Sequence, residues 1–143
     1  MTRLIRFHQK GGEEMVSFGS FTMEGDSPIY SQIICYVKRG IVAGAVRDGE
    51  EMPSRRVLSS LLGVNPNTIQ KAYRMLEEEG LLQSHPGAKS YISASPGQVE
   101  AVRRQLLERE AGRGVAAMRQ MGLSRREALE LVDRMWSMEE EKG

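Results

Sequence analysis

Within the ten residues NPNTIQKAYR, Asn65 to Arg74, the chain carries amides, a hydroxyl and two cations at helical spacing. An amide holds a donor and an acceptor side by side, which suits paired hydrogen bonds to the edge of adenine. A threonine can donate, accept, or touch a thymine methyl. Asn67, Thr68, Gln70 and Lys71 are therefore candidates for reading base edges, with Arg74 either a solvent residue or a phosphate contact. A purely solvated face would more naturally carry Glu and Lys, which favour helix and hydrate strongly. This chemistry is recognition, not bond-making.

Those side chains need a helix to hold them, and the stretch VNPNTIQKAYRMLEEEGLL supplies one with its punctuation. Asn65 can cap it, Pro66 suits the first helical position, and Gly80 suits the left-handed residue beyond its end. Ile69, Ala72, Tyr73 and Leu76 fall at i, i+3, i+4 and i+7, one apolar stripe opposite the polar face. Just upstream, Ser54 caps a shorter helix expected to bury Val57, Leu58, Leu61 and Leu62, and Gly63 ends it. Two short helices joined by a glycine-bearing turn make a helix-turn-helix. In that unit the N-terminal residues of the second helix lie nearest the bases in the major groove. That helix start also favours a nearby phosphate. The acids Glu77, Glu78 and Glu79 sit at the far end, where they face away from an anionic duplex.

Before this pair, Tyr30, Ile33, Ile34, Val37 and Ile41 define a helix ending near Gly44, with Gly40 inside it at a cost of about 1 kcal/mol relative to alanine. The segment RDGEEMP reads as a turn. After the pair, LLQS and SYIS flank HPGAK, whose Pro86 and Gly87 turn a small β-hairpin. The fold class is thus mostly α with a small β component: a winged helix-turn-helix followed by two C-terminal helices. In those, Val99, Val102, Leu106, Ala111, Val115 and Met118 follow helical spacing, interrupted by Gly112 and Gly114. Ser124 and Glu127 form a capping box, with Leu123 and Ala128 placed as a staple. Ala128, Leu131, Val132, Met135 and Met138 line the last helix. Such stripes need a partner: the winged helix, each other, or a second copy.

The expected division is a leader over residues 1–27, a DNA-binding domain over 28–95, and a helical dimerisation region over 96–143. The leader is glycine-rich, with only weak alternation in VSFGSFTM, and Met15 and Met23 offer alternative starts. The chain's +1 net charge divides unevenly: residues 28–93 carry eight basic and six acidic groups, against nine and nine in 94–143. A single cysteine, Cys35, read as a small buried residue, excludes an internal disulfide framework and fits a reducing cytoplasm. The aliphatic run Ile33–Val37 is too short to span a bilayer, and no signal peptide stands at the N-terminus. Two scattered histidines, His8 and His85, provide neither a metal cluster nor a catalytic motif, so neither cofactor nor metal is implied and an enzyme is excluded. Tyr30 and Tyr73, on apolar stripes, are assigned to the core. Of Arg55 and Arg56, one is expected to reach a phosphate and the other water. Lys89 in the hairpin loop is a candidate phosphate or minor-groove contact.

The run from PIYSQI through MPSRRVLSSLLGVNPNTIQKAYRMLEEEGLL to GAKSYIS, residues 28–93, resembles the GntR family of bacterial transcription regulators, its YtrA-type branch in particular. The resemblance implies that Arg56 binds DNA at the start of the second helix. It implies that Asn65, Asn67, Thr68 and Gln70 are recognition-helix contacts and that Gly87 is the wing tip in the minor groove. It also implies a short helical tail used for homodimerisation and control of a transport operon that includes the regulator's own gene. A two-fold dimer in turn predicts an inverted-repeat operator, and the expected function is that of a homodimeric repressor. Pro66 departs from the arginine that other branches often carry there, so their base specificity does not transfer. No small-molecule effector is identified by the sequence. The rival reading is a winged helix that contacts protein alone; salt dependence separates the two, because phosphate contacts release counterions.

Overall fold

The computed structural model describes residues 7–8, 14–85 and 89–143. They form β1 (Phe7–His8), β2 (Glu14–Met15), α1 (Ile29–Ala43), α2 (Arg55–Leu62), α3 (Pro66–Glu78), β3 (Leu82–Ser84), β4 (Ser90–Ile92), α4 (Pro96–Gln120) and α5 (Arg125–Lys142). The chain divides into two compact units, Arg3–Arg103 and Arg104–Gly143.

In the first unit, α1 buries Ile33, Ile34, Val37 and Ile41, and Gly44 ends it in the left-handed region at φ 80°. Gly40 is buried, and its carbonyl accepts from the N–H groups of both Ala45 and Val46 at 2.9 Å, closing the helix end. The four expected positions of α3, Ile69, Ala72, Tyr73 and Leu76, are all buried. Lys38 of α1 reaches Glu79 just beyond α3 (Nζ to Oε1 2.7 Å), so this end of the acidic trio ties two helices together. Cys35 is half-buried.

Helix α2 corrects one expectation. Leu58 is fully buried, but Val57 and Leu61 are each 56% exposed. VLSSLL contains two i, i+4 apolar pairs rotated by about 100° from one another. Only the Leu58–Leu62 side faces the core, with Leu62 half-buried.

The wing extends beyond a hairpin. β3 and β4 pair antiparallel with Leu82 opposite Ile92 and Ser84 opposite Ser90. Residues 50–52, part of the segment read as a turn, lie along β4: Met52 N–H donates to Ser90 O (2.9 Å) and Ile92 N–H to Glu50 O (2.8 Å). On the other side of Glu51 runs the supposed leader, with Val16 N–H donating to Glu51 O at 2.8 Å. Val16, Ser17 and Phe18 are buried. Phe18 and Phe21 flank Tyr36 with ring centroids at 4.9 and 5.3 Å, and the Tyr36 hydroxyl donates to Ser17 O. Burial pushes the Tyr36 phenol above its ordinary pKa. Residues 15–18 therefore belong to the winged-helix core, not to an arm. The compact unit exceeds the expected 28–95 at both ends: Asp48 accepts from Ala94 N–H (2.7 Å), and Gln98 donates to Gly80 O (2.7 Å).

The second unit is simpler. α4 continues through Gly112 and Gly114 to Gln120, where an interruption was expected. Gly122, at φ 84°, makes the corner. Ser124 then accepts from Glu127 N–H while the Glu127 carboxylate accepts from Ser124 N–H, the capping box expected from S-x-x-E. That backbone donor, followed by the serine side chain, holds the Glu127 carboxyl below the usual range. α5 buries no residue: Val132, Met135 and Trp136 stand in solvent, Trp136 at 68% exposure. No helix among the described residues is long and apolar enough to cross a membrane.

Candidate nucleic-acid interface

The turn between α2 and α3 is held by backbone and one serine. Gly63 adopts φ 67°, Val64 N–H donates to Ser59 O (3.1 Å), and Ser59 Oγ donates to Val64 O (2.6 Å). A side chain at Gly63 would meet open space, so it is the left-handed backbone that selects glycine there. Ser54 caps α2 by accepting from Val57 N–H, and Asn65 caps α3 by accepting from Asn67 N–H at 2.8 Å. Pro66 occupies the first position, where no donor is needed.

Above this frame Asn67, Gln70, Lys71 and Arg74 are exposed and Thr68 is half-buried. Among the described residues, the amides of Asn67 and Gln70 have no hydrogen-bond partner, which leaves both ends of each open to a ligand. Asn65 differs. Its Oδ1 is engaged in the cap, so the donor half of its amide is the more available one. Lys71 also differs, because its ammonium lies 4.0 Å from the centre of the Tyr30 ring. Tyr30 is half-buried and acts as a rest for Lys71 rather than a core residue alone.

The two arginines at the start of α2 separate cleanly. Arg56 is exposed, with no ion pair among the described residues. Arg55 turns inward: its guanidinium meets Glu77 at 3.0 Å and lies 5.0 Å from the Tyr73 ring centre. Tyr73 is fully buried and its hydroxyl donates to Pro53 O. Burial pushes that phenol far above its ordinary pKa, the Arg55 cation opposing the shift. Arg55 thus reaches neither water nor phosphate in the way expected; it clamps α2 to α3. Sequence reading missed this role because it took Glu77 only as one of three acids facing away from the duplex. The usable signal was the length of the helix between them: Tyr73 and Glu77 are one turn apart on α3, so a cation over one meets the other.

In the wing, Gly87 lies outside the described residues. His85 is exposed, its ring 6.3 Å from that of Tyr91. Lys89 is just over half exposed, and its ammonium lies 3.5 Å from the Glu51 carboxylate.

Residues 29–92 match the family described as bacterial regulatory proteins, gntR family. The solved structure of YtrA from Sulfolobus acidocaldarius, a GntR-family transcription factor, is 31% identical over 70% of this chain and 99% of its own, with a TM-score of 0.52. The chain belongs to the GntR family. Another GntR regulator of known structure, from Listeria monocytogenes, superimposes with a TM-score of 0.72 at 28% identity, over 78% of this chain and 98% of that one. The transcriptional repressor YtrA of Bacillus subtilis is 42% identical over 67 residues, 47% of this chain and 52% of the repressor. The chain therefore spans about half the length of that curated relative. These relatives are named as transcription regulators, the YtrA repressor as one of the helix-turn-helix type, and this chain shares their family.

Proposed function

We propose that the chain is a homodimeric repressor that binds an inverted-repeat operator, each copy placing α3 in the major groove. The observation that carries this reading is the polar start of α3, where the Asn67 and Gln70 side chains are exposed with donor and acceptor both available. Asn67 and Gln70 then pair with adenine edges, and Thr68 meets a thymine methyl or a phosphate oxygen. Asn65 is first a cap and second a donor. Lys71 and Arg56 take the phosphate backbone and fix the register of the helix on the duplex. Gly87 is the wing-tip contact. The second copy pairs through residues 96–143: α5 presents Val132, Met135 and Trp136 on one broad face, and monomeric proteins rarely leave such a face in water. A two-fold axis relating the copies calls for an operator of the same symmetry. On the resemblance alone, the regulated unit is a transport operon in the cytoplasm that includes the regulator's own gene.

The test is to select genomic fragments bound by the purified protein, sequence them, and measure variants on the operator so defined. Gln70→Ala is expected to cost about 1–3 kcal/mol at one base pair and to relax preference there. Arg56→Ala is expected to weaken every sequence alike and to reduce the slope of log K against log salt by about 0.9. Parent-like binding by both variants would overturn the assignment. The exposed Val57 and Leu61 favour a second reading, contact with another protein through α2. Binding to the selected fragments that falls steeply with salt decides for DNA.

A further inference from the structure

We propose that Glu51 is a positioning residue of the wing, one that takes up the charge of Lys89 and withholds it from the DNA backbone. The proposal rests on the DNA-binding reading above for its consequence, and on the sheet alone for its geometry. Glu51 stands at the centre of the small sheet: its carbonyl accepts from Val16 N–H on one side, and it bridges Tyr91 of β4 on the other. Its side chain is 6% exposed, and from there Oε1 lies 3.5 Å from Lys89 Nζ. Lys89 immediately precedes β4, so holding its ammonium ties the start of that strand to Glu51.

The chemistry favours pairing over a phosphate contact. A carboxylate withdrawn from water is strongly disfavoured without compensating cations or donors, and Lys89 supplies one such cation. A phosphate arriving at Lys89 would meet an ammonium whose charge Glu51 already offsets. The neighbouring Glu50 cannot substitute, because its buried carboxylate accepts from Arg47 N–H on the turn. The lysine expected from sequence to be a wing contact is thus an internal counter-charge, and the wing touches DNA through its other atoms.

The experiment combines Glu51→Gln, Lys89→Met and the double variant, each checked for folding by circular dichroism. Binding to a short mixed-sequence duplex is titrated across potassium chloride concentrations. Glu51→Gln is expected to steepen the slope of log K against log salt by about 0.9, the signature of one more neutralised phosphate. In the Glu51→Gln background, Lys89→Met should return the slope to the parental value; in the parent it should change the slope by less than half as much. Equal changes in both backgrounds, or none in either, would overturn the proposal. Urea unfolding supplies an arm that needs no DNA. Lys89→Met should lower the unfolding midpoint in the parent but not beside Glu51→Gln, and Lys89→Arg should restore it. Equal shifts in both backgrounds would refute the pairing itself, whereas a parent that binds no duplex while the midpoints behave as expected would refute the DNA reading and leave the pairing standing.

Discussion

In the winged-helix unit, the stripe of α3 formed by Ile69, Ala72, Tyr73 and Leu76 is buried to the last residue, whereas on α5 Val132, Met135 and Trp136 of an equally regular stripe remain in solvent. Both helices show the same periodicity, and both carry proper caps, Asn65 on one and the Ser124–Glu127 box on the other. The difference lies in what closes over them. Helix α3 is covered within its own unit, pinned by Lys38 to Glu79 and by Arg55 to Glu77. Helix α5 buries nothing at all. An amphipathic pattern says that a face requires cover; it does not say whether the cover is internal or a second molecule.

Four variants press on this contrast. The largest effect is expected from Tyr73→Ala, which removes a fully buried ring, its hydrogen bond to Pro53 and the platform for Arg55. Chemical denaturation of the chain should show a loss of about 3–5 kcal/mol in the winged-helix unit. Val132→Asp combined with Met135→Asp should leave that unit folded. Sedimentation should show the proposed dimer dissociating at least about 100-fold more readily, roughly 3 kcal/mol; an unchanged association state would move the interface off this face. Tyr73→Phe keeps the packing and deletes only the hydroxyl. Leaving the Pro53 carbonyl without its donor should cost about 1–3 kcal/mol, again read by denaturation. The smallest effect runs the other way. Gly112→Ala meets open space inside the long helix α4 and should raise the thermal stability of the tail by about 0.5–1 kcal/mol.

Much of the fold was legible because its signals are local. Ser54, Asn65 and Ser124 announce helix starts within four residues of the donors they satisfy, and the hairpin is written around HPGAK. The stripe of α3 needed only counting. What escaped the sequence is non-local or degenerate. Val16 hydrogen-bonds to Glu51 just beyond β2, and Glu51 bridges Tyr91, across separations of 35 and 40 residues, and the alternation of VSFGSFTM is too weak to foretell it. The two apolar pairs of α2 are equivalent as letters, and only packing against α3 selects Leu58 over Val57. In α4, two glycines that cost the helix about 2 kcal/mol together are tolerated within 25 residues of otherwise helical sequence. At the candidate interface the residue types pointed to recognition, but spacing alone did not separate a base-reading amide from a capping one. Nor did it separate Arg56 from Arg55, whose fates differ because Tyr73 and Glu77 lie beneath only one of them.

The strand at Val16 has a practical consequence for anyone producing this protein. A shortened gene begun at Met23 would delete the residues that flank Tyr36, leave the Glu51 carbonyl without its amide donor, and strip one edge from the sheet that carries the wing. Its product would invite aggregation at the bared edge. One begun at Met15 would retain every one of those contacts, so solubility trials with the two lengths are a direct way to see how far the regulator's folded body reaches towards its first codon.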